Sequence, residues 1–166
     1  MQGKGGFLLQ NLRAVSEAHR FAIIFTAWNK NLTERLLSGA KDCLLQHGVK
    51  ETNIAEVECP GAFEIPLTAQ WCFQRGFDAV ICLGAVIRGD TPHFEYVSSA
   101  ATQGILQVGL EFHKPCIFGV LTVNTAAQAE ERIGGIHGHK GVEAALTALQ
   151  MLAIQAALKT DSRFPE

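Results

Sequence analysis

The sequence has no Cys-x-x-Cys pair, no Gly-x-Gly-x-x-Gly fingerprint and no Walker-type phosphate loop, which argues against the common dinucleotide and nucleoside triphosphate sites. It also has no Lys/Arg cluster. With 14 basic and 16 acidic residues and a net charge of −2, the chain lacks the electrostatic footprint of a nucleic-acid binder. No uninterrupted apolar run approaches the roughly 20 residues of a membrane span, and residues 1–15 lack the charged-then-apolar layout of a signal peptide. A soluble, cytoplasmic protein is expected, with no nucleic-acid or membrane partner; a transit peptide removed ahead of residue 1 leaves a plastid location open. Prolines number only five, the sixteen glycines are dispersed, and there is no polar tract, internal repeat or linker. Fibrous and disordered classes are therefore excluded, and one domain over residues 1–166 is expected, with an N-terminal arm over about 1–18.

Five cysteines (Cys43, Cys59, Cys72, Cys82, Cys116) are an odd number, and each lies in an apolar stretch, so reduced core thiols are expected rather than disulfides. His137-Gly138-His139 brings two imidazoles close in sequence, but no carboxylate or Cys completes a ligand set, and no metal is expected.

What is present is an alternation of strand-length apolar runs with amphipathic helical stretches, the pattern of a parallel sheet covered on both faces. After a strand candidate at residues 7–10, a central strand is read at 20–27. Asn31 is then read as the cap of a helix carrying Leu32, Leu36, Ala40, Cys43 and Leu44 at helical spacing, ended by Gly48. A second strand (53–59), a helix (63–74) stopped by Gly76, a doubly buried strand (79–87) and a long helix (93–112) follow. Pro115 opens a fourth strand through 122. A short helix near 126–133, a glycine-rich turn (Gly134, Gly135, Gly138) and a final helix over about 140–159 complete the chain.

In such a sheet ligands bind beyond the carboxyl ends of the strands, so the following loops are the candidate site. They carry Trp28-Asn29, then Pro60-Gly61-Ala62-Phe63-Glu64, then Arg88-Gly89-Asp90-Thr91-Pro92-His93, then Val123-Asn124-Thr125. The third is the most informative. Gly89 allows a close backbone approach, and Asp90-Thr91 precede a helix whose free N–H groups attract an anion such as phosphate. The plainer alternative makes Asp90 or Thr91 a helix cap. His93 falls in the first helical turn, where it could move protons or stand as a solvated surface residue. Arg132 and Lys140 flank the glycine-rich turn and could reach a phosphate, or Arg132 could balance Glu130 and Glu131 on an exposed face. Trp28 and Phe118 offer flat faces for a heterocycle or for core packing, and Glu64 could accept hydroxyl hydrogen bonds or favour a helix start.

Three ordered segments carry a family resemblance: Pro60-Gly61-Ala62-Phe63-Glu64-Ile65-Pro66, then Leu83-Gly84-Ala85-Val86-Ile87-Arg88-Gly89-Asp90-Thr91-Pro92-His93-Phe94-Glu95-Tyr96-Val97, then Phe118-Gly119-Val120-Leu121-Thr122. Glu131-Arg132-Ile133-Gly134 and Lys140-Gly141-Val142-Glu143-Ala144-Ala145 extend it, so that about residues 21–152 resemble the lumazine synthases. The resemblance implies a flavodoxin-like α/β/α sandwich around a four-stranded parallel sheet, with a short N-terminal strand added to a neighbouring subunit. It implies condensation of 5-amino-6-ribitylaminouracil with 3,4-dihydroxy-2-butanone 4-phosphate, releasing phosphate and water, the penultimate step of riboflavin biosynthesis, with no cofactor.

By the same resemblance Trp28 stacks on the pyrimidine, with Asn29 beside it, and Glu64 binds ribityl hydroxyls. Backbone around Gly61, Ala62, Phe63, Ala85, Val86 and Ile87 holds the polar ring edges. His93 moves protons; Arg132 and the amides of Asp90 and Thr91 hold phosphate, with Lys140 close by. The site is implied to lie between subunits of a homopentamer, with Phe118, Arg132 and Lys140 supplied by the neighbour. A sixty-subunit shell and association with riboflavin synthase are left open. Trp28 replaces the Phe of many members, and His139 stands where Asn is common, in the region that bears on shell assembly. The alternative on the same fold is a non-catalytic flavin- or pteridine-binding or shell-forming protein.

Overall fold

A computed structural model describes Leu12 and residues 15–160. Strands β1 (Phe21–Thr26), β2 (Ile54–Cys59), β3 (Ala79–Ile87) and β4 (Cys116–Val123) alternate with helices α1 (Lys30–Gln46), α2 (Ile65–Gln74) and α3 (His93–Phe112). Beyond β4 come a short α4 (Ala126–Glu130), a two-stranded ribbon of β5 (Ile133–Gly135) and β6 (Gly138–His139), and α5 (Lys140–Thr160). The four long strands are parallel, in the order β2-β1-β3-β4.

Side chains alternate across a strand, so β1 and β3 feed two cores. Phe21, Ile23, Phe25, Ile81 and Leu83 pack under α1 and α5, while Ala22, Ile24, Val80 and Cys82 pack under α2 and α3. The expected three-layer α/β/α sandwich is thus the observed one. All six residues of β1 and the first seven of β3 are buried, which is why these runs are continuously apolar rather than alternating. The five cysteines are free thiols; burial pushes Cys59 and Cys72 up to about 11, and Cys82, at the centre of the sheet, is also pushed up by burial.

α5 has the length and hydropathy of a membrane span, yet Ala144, Ala145, Ala148, Leu149, Leu152 and Ala153 form a stripe packed on α1 and the sheet. The α1–α5 crossing is close enough that a Cβ on Gly141 would lie 2.1 Å from the Leu36 carbonyl oxygen. Backbone cannot yield there as a flexible side chain could. Gly141→Ala is therefore expected to destabilise the fold by about 3 kcal/mol, the upper end for overpacking. Chemical unfolding checks this, and an unchanged midpoint would show that the helices separate freely.

Several boundaries differ from the sequence reading. α1 begins at Lys30, before Asn31, because Asn29 turns the chain with a left-handed φ of 56°. Asn29 does not cap the helix with its side chain; Nδ2 instead donates to the Ala85 carbonyl at 2.8 Å. The helix read at 63–74 is split into a 3-10 turn, Ala62–Glu64, and α2, which starts at Ile65 with Pro66 in its first turn. The helix read to 133 ends at Glu130, and the glycine-rich turn is the β5–β6 ribbon, with Gly134 and Gly138 at φ 89° and 82°. Residues 15–18 are helical, and Val15 joins the α1/α5 core. The strand read at 7–10 lies outside the described residues.

Candidate active site

β1 and β3 lie side by side, and the chain leaves them toward opposite edges of the sheet, so a crevice opens above their carboxyl ends. The loop after β1 is fixed to the loop after β2: Ala27 N–H donates to Cys59 O at 2.8 Å and Trp28 N–H to Pro60 O at 3.1 Å. Thr26 Oγ1 donates to Trp28 O at 3.0 Å, and Thr33 Oγ1 to Thr26 O at 2.6 Å, tying α1 to the end of β1. With its peptide so held, the Trp28 ring stands 71% exposed at the rim. The Asn29–Ala85 bond closes the floor between β1 and β3, so that carbonyl and that amide nitrogen satisfy each other.

One cleft of about 200 Å³ is lined by Trp28, Asn29, Gly61, Ala62, Ala85, Val86, Ile87, Gly89, Thr91 and His93, together with Thr26, Phe94 and Val97. A second recess of about 430 Å³ shares Trp28, Gly61, Ala62, His93 and Val97 and adds Phe63 and Glu64. A Cβ on Gly61 would lie 3.2 Å from Glu64 Oε2, so the carboxylate folds back toward the Gly61 backbone. The wall therefore offers an aromatic face, a carboxylate, backbone polar groups and an imidazole in one recess. Such a set can hold a flat polar ring carrying hydroxylated substituents.

The loop from Gly89 to Pro92 leads into α3, whose N-cap is Pro92 with no side-chain cap. Neither Asp90 nor Thr91 occupies the cap position, although Thr91 Oγ1 accepts the His93 N–H at 3.4 Å. A side chain at Gly89 would meet no protein atom, so packing does not demand glycine there. His93 is exposed at the head of α3 and borders both recesses.

Phe118, Arg132 and Lys140 are not in this crevice. Phe118 is a mid-strand residue of β4, not a loop residue, 36% exposed in a groove of about 680 Å³ between α3 and α5. Lys140 and Glu143 line the same groove. Arg132 donates to the His137 carbonyl and pairs with Glu143 Oε2 at 3.3 Å, and Lys140 Nζ lies 3.6 Å from that same oxygen. One half-buried carboxylate thus gathers both cations beside an aromatic ring. Sequence reasoning missed Glu143, whose position one turn after Lys140 was its only signal, and the cleft-lining Thr26, Phe94 and Val97, which read as ordinary strand and helix residues.

Residues 18–156 match the family model described as 6,7-dimethyl-8-ribityllumazine synthase. The 6,7-dimethyl-8-ribityllumazine synthase of Cytophaga hutchinsonii is 52% identical over 134 residues, which cover 80% of this chain and 84% of that protein. Since the match runs from ahead of β1 into α5 and takes in every loop of the crevice, the chain belongs to the 6,7-dimethyl-8-ribityllumazine synthase family of transferases.

Proposed function

We propose that the chain condenses 5-amino-6-ribitylaminouracil with 3,4-dihydroxy-2-butanone 4-phosphate to give 6,7-dimethyl-8-ribityllumazine, phosphate and water. The observation that carries this reading is the meeting of Trp28, Glu64, the Gly61–Ala62 and Ala85–Ile87 backbone, and His93 around one crevice. In this reading the pyrimidine lies against the Trp28 ring, with ribityl hydroxyls directed to Glu64. The 5-amino nitrogen attacks the ketone carbon and one water leaves as the imine forms; phosphate then leaves by elimination, the enol so formed tautomerises to a ketone, and the ribitylamino nitrogen attacks that carbonyl, closing the ring with loss of a second water. His93 carries protons between these steps. Holding the amine beside the ketone supplies much of the rate, because oriented neighbours reach effective molarities of about 10⁵ M or more.

The phosphate half of the site is supplied, in this proposal, by a second copy of the chain. Phe118 and Lys140 stand at the groove between α3 and α5, which also exposes Leu106, Leu110, Met151, Ile154 and Leu158. Leu67 and Trp71 expose a second apolar area, on α2. Two different apolar surfaces on one chain suit a head-to-tail contact, and repeated head-to-tail contacts close into a ring. We take the ring to be the homopentamer of the resemblance. Arg132 and Lys140 of one copy then face the Asp90–Thr91 backbone and His93 of the next.

Mixing the protein with both substrates tests the assignment: lumazine fluorescence is expected to rise well above the slow spontaneous reaction, and an unchanged rate would remove it. His93→Ala is expected to lower kcat only about 10–100-fold, less than the 10²–10⁴ that general acid–base groups can contribute, because positioning survives the substitution. Steady-state rates check this, and a loss beyond about 10⁴ would give the imidazole a larger role than proton transfer.

A further inference from the structure

The third loop contains a cation closer in sequence to the anion-binding backbone than Arg132 or Lys140, namely Arg88, and its surroundings give it a different task. Its backbone N–H donates to Val123 O at 2.9 Å, and its Nε donates to Asn124 Oδ1 at 2.9 Å. One terminal nitrogen is bonded to Glu95 Oε1, one turn into α3, and the guanidinium carbon lies 4.2 Å from the centre of the Phe94 ring. Asn124 is itself anchored, since its N–H donates to Gln128 Oε1 at 2.8 Å at the start of α4. The Arg88 guanidinium holds the Glu95 carboxyl below the usual carboxylate range.

These contacts join the end of β3, the first turn of α3 and the start of α4. Between the two ends of the tie lie Gly89, Asp90, Thr91 and Pro92, all exposed, whose side chains contribute one long hydrogen bond, from His93 N–H to Thr91 Oγ1. The loop cannot hold its own shape by packing, so its ends must set it. Phe94, under the guanidinium, also lines the cleft next to His93.

We propose that Arg88 is a positioning residue, which through Glu95 and Asn124 fixes the Gly89–His93 backbone for the phosphate of the ketone substrate, rather than a phosphate ligand. The proposal rests on the condensation reading given above. Arg132 is paired as well, but its carboxylate partner is one it shares with Lys140 and can exchange for phosphate; the Arg88 partners Asn124, Glu95 and Phe94, on Nε, a terminal nitrogen and the flat face, instead belong to the segments that bracket the Gly89–Pro92 loop.

The two roles give opposite signs for one substitution, Glu95→Gln. A positioning role predicts a rise in KM for the phosphate-bearing substrate of about fivefold, the scale of an exposed ion pair, with the pyrimidine KM and the melting temperature unchanged. Arg88→Gln is expected to raise the same KM about tenfold, Arg88→Lys to recover part of it, and the double substitution to be no worse than Arg88→Gln alone. If Arg88 bound phosphate directly, Glu95→Gln would release it and lower that KM, which would overturn the proposal. Equal changes in both KM values, or a loss that follows melting temperature, would do the same.

Millisecond hydrogen exchange over residues 88–97 of the full-length protein reads the tie without turnover. Exchange at least threefold faster there in Glu95→Gln, with α5 unaffected, supports it, and unchanged exchange overturns it. Should the unmodified protein make no lumazine, the condensation reading fails, and the exchange result still decides whether Arg88 orders the loop.

Discussion

Arg132→Ala is expected to raise the KM of the phosphate-bearing substrate about a hundredfold while the pyrimidine KM moves by less than about threefold. Loss of a charge-assisted, two-pronged contact to a dianion costs about 3 kcal/mol, which is roughly two powers of ten in affinity. The guanidinium is already held on the His137 carbonyl and on Glu143, 3.3 Å away, so little side-chain freedom remains to be lost when phosphate arrives. Glu143 lies within 4 Å of both Arg132 and Lys140, so a phosphate exchanges with an existing carboxylate contact instead of meeting two bare cations. That exchange makes the effect specific to the charged substrate. Separate titrations of the two substrates measure it, and equal weakening of both would show that Arg132 shapes the site without binding phosphate. A melting curve accompanies them, because Arg132 also braces the β5–β6 turn through His137.

The fold was legible wherever one physical rule dominates. The run over residues 20–27 was read as a central strand and the continuous apolar run over 79–87 as a strand buried on both faces, and the loops after them marked the crevice. Reading failed where a side chain's partner lies far along the chain. The cap was read at Asn31, but the N-cap is Asn29, whose amide is committed to Ala85, 56 positions later, and the helix begins at Lys30. The same holds for Glu143, whose meaning comes from Arg132 across a ribbon that was read as an irregular turn. Phe118 falls within the strand read from Pro115 through 122, but local pattern could not decide between core packing and an exposed face, because the elements that flank an edge strand lie elsewhere in the chain. The division of the candidate site into two clusters on one chain was implied by the family resemblance, which assigned Phe118, Arg132 and Lys140 to a neighbouring copy, but not by residue pattern, since sequence order says nothing about which face of the β4 edge carries Phe118 and Lys140.

That division gives the second large effect. Leu110 is 67% exposed on α3, in the groove that carries Phe118 and Lys140. Leu110→Glu should therefore leave the subunit folded, yet set a charge into the proposed contact with a second copy. The expected product sediments as a single chain of 18.0 kDa with kcat/KM lowered at least about a thousandfold, because three ligand groups leave together at about 1–3 kcal/mol each. Disassembly alone could lower activity by loosening the loops, so a second arrangement isolates the shared site. His93→Ala and Arg132→Ala chains are co-expressed with different tags, and rings containing both are purified. If one copy supplies His93 and the next supplies Arg132, random mixing leaves about a quarter of the contacts with both native groups. Activity should then rise to about a quarter of the unmodified level, well above the mean of the two parents. A mixture no better than that mean would place both residues in a site completed within a single chain, and the separation of Arg132 from the His93 crevice would have to be closed by a rearrangement of the β5–β6 ribbon instead.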